Sequence, residues 1–221
     1  MAEAGDFTAA RRFMVDGQIR TNKVTDEALL AAMSDLPRER FAPTQLRGRA
    51  YVDDDLPLGG GRFMMEPMVL ARLLQALQIQ AGDAVLVVGA NSGYAAALAA
   101  MLGGSVTALE SDASLASAAR QALAAIDTPR PVEIVTGPLP EGHVARGPYR
   151  AILIEGAVEQ IPARLGDQLA EGGRLATVQQ QGAVGRATLF TKIGGVLSPR
   201  VLFDANVVRL PGFEAARGFR F

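Results

Sequence analysis

Two patterns of apolar and polar positions divide the chain. From residue 1 to about 80, apolar residues recur at helical spacing between irregular polar stretches. "FTAARRFMVDGQIR" predicts a first helix and "TDEALLAAMSDL" a second, with Thr25 as N-cap, acidic residues in the first turn and Pro37 ending it. A long connection follows, "PRERFAPTQLRGRAYVDDDLPLGGGRFMME", rich in Pro, Gly and Asp. A connection of that length inside a compact domain is functional or a docking surface. "PMVLARLLQAL" then places Pro67 in the first turn of another helix.

From Ala84 onward the period changes. Short apolar runs read as strands: "AVLVV", "SVTALE", "VEIV", "AILIE", "RLATVQ", "ATLFTK" and "VLFDANVVRL". Helical runs such as "SLASAARQALAA" and "PARLGDQLAE" separate the earlier ones. The alternation predicts an α/β fold with a mostly parallel sheet. The last three strands have no helix between them and are expected to form an antiparallel edge, with "GGVLSPR" as a turn. The expected organisation is an N-terminal helical and loop extension over 1–80 and an α/β domain over 81–221, in one compact unit.

Composition narrows the function classes. The 221 residues, 49% hydrophobic, are enough for a sizeable core. A formal net charge of −1 with scattered Lys and Arg gives no electrostatic case for nucleic acid or an anionic membrane. No run reaches the ~18 apolar residues of a membrane span, and Asp16 and Arg20 interrupt the N-terminal segment, so the expected location is cytoplasmic, without membrane insertion. The absence of Cys excludes disulfides and thiolate catalysis, and a single His argues against zinc. Asp53, Asp54 and Asp55 lack the spaced oxygens of a calcium loop and read as a solvated turn, so no metal is expected. His143 falls in a surface loop and is given no role. The tail "PGFEAARGFRF" carries Phe213, Phe219 and Phe221, either packed on its own domain or presented to a partner, the first being favoured.

The stretch "AVLVVGANSGYAAALAAM" has candidate chemistry. A strand that delivers "GANSG" into a helix points backbone N–H groups at a ligand. The next strand is expected to end at Glu110, twenty-one residues after Gly89, the spacing at which an acid reaches ribose hydroxyls. The combination points to a nucleoside-containing ligand. The spacing G-x-G-x-x-G is absent, which argues against a dinucleotide. Asn91 stands where a glycine would serve best; Asn tolerates the left-handed region, but its side chain adds bulk where a ligand must approach.

Over nearly its whole length the sequence resembles the protein-L-isoaspartate O-methyltransferase family. The resemblance rests on "MVDGQIR", "VTDEALLAAM", "PRERFAP", "AYVDDDLPLGGG", "VVGANSGYAAALAAM" and "LAEGGRLATV", in the family's order and spacing. It implies a Rossmann-like methyltransferase fold with a seven-stranded sheet, S-adenosylmethionine as cofactor and a protein substrate. It implies Gly89, Asn91, Ser92, Gly93 and Glu110 as cofactor-binding positions, and Gly61, Phe63, Met65 and Glu66 as the substrate-loop equivalents. The departures fall in those parts. The family's G-Q-T-I-S-Q-P reads "GRFMMEP", so Phe63 and Met65 replace a threonine and a serine, and Glu66 adds a carboxylate beside a carboxylate substrate. The family's G-D-G, whose Asp helps hold adenine, reads "GPLPEG", with Pro138 in its place. No catalytic residue is assigned.

Two functions follow from the resemblance. One is an accessory or docking subunit of a larger protein assembly, a pseudoenzyme with methyl transfer lost or much reduced and S-adenosylmethionine either kept or given up. The other is an active S-adenosylmethionine-dependent carboxyl methyltransferase acting on isoaspartyl residues or another acceptor. The apolar "FMM" is either a protein contact or core packing.

Overall fold

A small hairpin and a seven-stranded sheet carry the chain's β-structure. The computed structural model describes residues 7–213. The hairpin is β1 (Leu56–Gly59) and β2 (Arg62–Met64). The sheet comprises β3 (Ala84–Val88), β4 (Ser105–Glu110), β5 (Val132–Thr136), β6 (Tyr149–Val158), β7 (Leu169–Gln181), β8 (Val184–Ile193) and β9 (Val196–Asp204), in the order β5-β4-β3-β6-β7-β8-β9. β5 to β7 pair in parallel; β8 and β9 add antiparallel. This is the Rossmann-like methyltransferase architecture, with the expected antiparallel C-terminal edge.

Covered strands read as unbroken apolar runs, and Val85–Val88 are fully buried between helices. α4 (Tyr94–Met101) is buried from Tyr94 to Ala100, its alanines allowing a close approach to the sheet. α5 (Ala113–Ala124) starts at Asp112, whose carboxylate accepts from the N–H groups of Ser114 and Leu115. In the extension, α1 (Phe7–Phe13) continues as a π-helical turn over Met14–Ile19 and a 3-10 turn over Arg20–Asn22. α2 spans Glu27–Asp35 and α3 spans Pro67–Leu77. One apolar cluster runs from Met14, Leu29 and Leu70 to Val85, Leu98 and Leu153, so extension and sheet share a core. No described helix is long and apolar enough to cross a membrane.

Four expectations need correction. The cap of α2 is Asp26, whose side chain accepts from Ala28 and Leu29; Thr25 only presents its backbone N–H to Gln75. The helix predicted over "PARLGDQLAE" is only α6 (Ala163–Asp167). Gln168 ends it: its amide bonds Glu141 O and Arg164 O, its Oε1 takes the His143 N–H, and its carbonyl accepts from Tyr149 as β7 begins. "GGVLSPR" is mostly strand, because Gly194 and Gly195, at φ 58° and 78°, make the two-residue turn by themselves. The last strand accordingly begins at Val196 and stops at Asp204, and Ala205–Leu210 leave the sheet.

Candidate active site

The parallel strands β3, β4 and β6 point their C-terminal ends at one cleft, where ligands bind in open α/β sheets. After β3 the loop turns through Gly89, Asn91 and Gly93 at φ 77°, 51° and 92°. Asn91 therefore occupies the left-handed region expected of it. The N–H groups of Gly89 and Ala90 share Leu109 O, each at 2.9 Å, which ties the loop to β4. At Gly93 α5 closes in: a Cβ there would lie 3.3 Å from the side chains of Ala119 and Leu123.

Glu110 ends β4, as the spacing predicts, and is fully buried. Its carboxylate is saturated from inside the protein. Oε1 accepts from the backbone N–H groups of Ser111 at 2.7 Å and Asp112 at 2.9 Å; Oε2 accepts from Asn91 N–H at 2.8 Å. Arg62 adds a bidentate pair, Nη1 to Oε1 at 2.5 Å and Nη2 to Oε2 at 2.7 Å. With Ser111 Oγ donating to Oε1 at 3.5 Å, six donors meet a group with about four lone-pair sites. Arg62 was not singled out from the sequence. Its signal was present in "GRFMMEP", a cation in the loop expected to face the cofactor.

The hairpin delivers Arg62. Gly59, Gly60 and Gly61 all have positive φ and make the tight return. Alternation along β2 then sends Arg62 and Met64 to the buried side and leaves Phe63 half-buried. Arg38, buried in the extension, holds the hairpin's exit: Nε donates to Ala50 O and Nη2 to Met65 O, each at 2.7 Å, and its guanidinium lies 4.8 Å from the Tyr94 ring centroid.

A second group enters from the C-terminal side. Val207–Leu210 run beside β6, with Ala157 N–H donating to Val208 O at 3.0 Å and Leu210 N–H to Ala157 O at 2.9 Å. Asp55 fastens this segment by accepting from the N–H groups of Val208 and Glu66, both at 2.9 Å. The Leu210 side chain thereby covers the glycines: a Cβ on Gly89 would sit 2.9 Å from Leu210 Cδ1 and 3.3 Å from Arg62 Nη2, and one on Gly156 would sit 2.9 Å from Leu210 Cβ. The cavity left between Arg62, Asn91, Glu155 and Leu210 is about 10 Å³, the size of one water.

Two carboxyls here sit above their ordinary range. Glu155, on β6, is fully buried with Oε2 unpartnered; burial pushes its pKa up to about 8, against the pull of Arg38 and Asn91. Glu66, half-buried beside Asp53 and Asp55, is pushed up to about 7 by burial and by those like charges. Glu155 was also missed in the sequence, where it closed the strand "AILIE".

The remaining candidates separate. Gly61, Phe63, Met65 and Asn91 line the small cavity, whereas Ser92 faces another, open cleft beside Phe41 and Leu115. Met64 and Met65 are buried, so that part of "FMM" is core and not an exposed contact. Phe213 packs with Leu139 and Leu210, while Phe219 and Phe221 lie outside the described residues. Asp53 accepts from Met68 N–H and Asp54 pairs with Arg49, so the acidic triplet holds its loop together. Among the described residues no His, Asp and Glu cluster is arranged to hold a metal ion.

The sheet order and strand directions agree with the comparisons. The model of the family described as protein-L-isoaspartate(D-aspartate) O-methyltransferase matches residues 10–209. The chain belongs to this family. Protein-L-isoaspartate O-methyltransferase 1 of Rhodopseudomonas palustris is 41% identical over 173 residues, 78% of this chain and 70% of that protein. The Koribacter versatilis enzyme is 35% identical over 206 residues, 93% and 92% of the two. Among solved structures, one protein-L-isoaspartate O-methyltransferase superposes with a TM-score of 0.77 at 22% identity, over 91% of this chain and 66% of that one. A Plasmodium falciparum structure, described as such an enzyme in complex with S-adenosyl-L-homocysteine, gives 0.75 at 21% identity, over 90% and 97%. At those identities the structures speak for the fold alone.

Proposed function

We propose that this protein-L-isoaspartate O-methyltransferase-like chain has given up S-adenosylmethionine-dependent methyl transfer and serves as an accessory or docking subunit of a larger protein assembly. The observation that carries the first half is the buried Arg62–Glu110 pair. Ribose hydroxyls need free carboxylate lone pairs, and the six donors on Glu110 leave none. A pyrophosphate-free nucleoside also needs close approach to Gly89, where Leu210 and Arg62 already lie. The residues present do not fit the cofactor, and no step is derived through it. The hydroxyls absent at Phe63 and Met65 remove positioning groups at the same place, and methyl transfer to a carboxylate depends on positioning.

A second reading has one observation in its favour. The loop keeps the left-handed turns at Gly89, Asn91 and Gly93, and Glu110 keeps its place. In that reading Arg62 swings out as S-adenosylmethionine enters, and the chain methylates isoaspartyl residues or another acceptor. Calorimetric titration with S-adenosylmethionine and S-adenosylhomocysteine, followed by turnover of an isoaspartyl peptide, separates the two. Absent heat at millimolar ligand is the expected result. Micromolar binding with turnover would reinstate the enzyme and end the non-catalytic reading.

A further inference from the structure

The edge of the sheet opposite the Glu110 cleft carries unbalanced positive charge. α3 starts at the cleft-side hairpin and ends before β3 begins, so its C-terminus lies at the N-terminal edge of the strands. Beside that terminus, Lys23, Arg72, Arg174 and Arg200 line one open cleft of about 340 Å³, with Leu202 and Phe203 as its apolar wall. The four cations come from four places: the turn before α2, α3, β7 and β9. Among the described residues no Asp or Glu lines this cleft, and none of the four cations is in an ion pair. Elsewhere on the surface, Arg20, Arg49, Arg146, Arg164, Arg186 and Arg209 each have a carboxylate partner, and cations there without an ion pair among the described residues, such as Arg12, Arg47 and Arg130, do not share one cleft with three others.

Structural duties account for part of this. Arg174 Nη1 donates to Ala76 O at 3.2 Å and so complements the carbonyl end of α3. Arg72 lies 3.4 Å from the Phe203 ring centroid, which occupies the face of its guanidinium. Lys23 and Arg200 are exposed and have no such duty. A helix C-terminus contributes about half a negative charge, which does not balance four cations.

We propose that this cleft docks an acidic polypeptide segment of a partner protein, with closely spaced carboxylates and an apolar residue between them. A compact phosphate fits less well. It favours backbone N–H groups at a helix N-terminus, and here a helix presents carbonyls. The apolar wall and the spread of the cations over four elements suit an extended chain. The proposal supplies a surface for the docking role proposed above and rests on that reading, although binding here does not involve the Glu110 cleft.

The test is fluorescence anisotropy with a labelled Glu/Asp-rich peptide carrying interspersed Leu. It is run on the full chain at ionic strengths of about 0.02 M and about 0.2 M. Saturable binding is expected, weakened roughly tenfold or more by the higher salt and again by Lys23→Glu/Arg200→Glu. Lys23→Arg/Arg200→Lys retains it, and Arg186→Gln, outside the cleft, leaves it unchanged. Circular dichroism confirms that the variants fold. No binding at millimolar peptide, or equal weakening by Arg186→Gln, overturns the proposal. Competition by inorganic phosphate alone would assign a small-anion site instead. Low-salt self-association lost in Lys23→Glu/Arg200→Glu would assign the cleft to a second copy. Titrating the same sample with S-adenosylmethionine keeps the two readings apart: cofactor binding alongside peptide binding sinks only the non-catalytic one.

Discussion

Arg62 decides what Glu110 can do. The pair is buried, so removing one partner leaves a charge without compensation, at a cost of about 3–5 kcal/mol. Arg62→Ala is expected to lower the unfolding free energy from urea titration by an amount near the low end of that range, because three backbone N–H groups still hold the carboxylate. Arg62→Gln/Glu110→Gln is expected to lose less than the two single variants summed; additivity would mean that the groups do not interact. Glu155 makes a separate prediction. Its folded pKa of about 8 exceeds its ordinary 4.5, so between those values the folded state keeps a proton that the unfolded chain releases. Its contribution to stability therefore falls as pH rises through that window. Glu155→Gln should gain on the parent at pH 8 and differ little at pH 5; a gap that fails to widen toward pH 8 would show an ionised Glu155. Glu66 has the same sign but is present in both proteins. Of these residues Glu110 and Glu66 were legible in the sequence, Glu110 from its spacing to Gly89 at a strand end and Glu66 from the family resemblance, whereas Arg62 and Glu155 were not. Arg62 finds its partner 48 residues away, a pairing that no local period reports.

Elements were more legible than residues, and their errors have local causes. Every sheet strand was anticipated, the central ones because covered strands write themselves as apolar runs and the exposed edge strand β9 from its short apolar segments. The ends were harder. Thr25 and Asp26 both suit an N-cap, and the choice turns on which one aims its side chain at the first free N–H groups. Asp26→Ala is expected to cost about 1 kcal/mol, and Thr25→Ala to stay within about 0.5 kcal/mol of the parent. Equal losses in thermal unfolding would return the cap to Thr25. The hairpin of β1 and β2 escaped notice inside the long connection because its strands are shorter than the usual signal. That omission concealed the site, since the hairpin's alternation is what turns Arg62 inward.

At the scale of the molecule, the cleft is closed by two segments far apart in sequence, each held by its own anchors. Arg38 fixes the exit of the hairpin, and Asp55 fastens Val208 and so carries Leu210 over Gly89. The loop beneath keeps its left-handed turns, so the closure covers the loop without altering its backbone. This makes the closure reversible by design. Arg62→Ala/Leu210→Ala truncates both covering side chains while Glu110 keeps its backbone donors. The ribose hydroxyls then have a carboxylate to bond, and Gly89 can be approached. S-adenosylhomocysteine is the sensitive probe, and its binding is expected to tighten roughly tenfold or more over the parent. Pro138 is expected to limit the gain, since the family resemblance implies an adenine-holding Asp at that position. Leu210→Ala alone costs about 2–5 kcal/mol of stability, so binding is compared only where the double variant remains folded. If the folded double variant binds no better than the parent, the obstruction lies in Asn91 or in the loss at Pro138, and the Arg62 and Leu210 closure is a consequence of an already abandoned site.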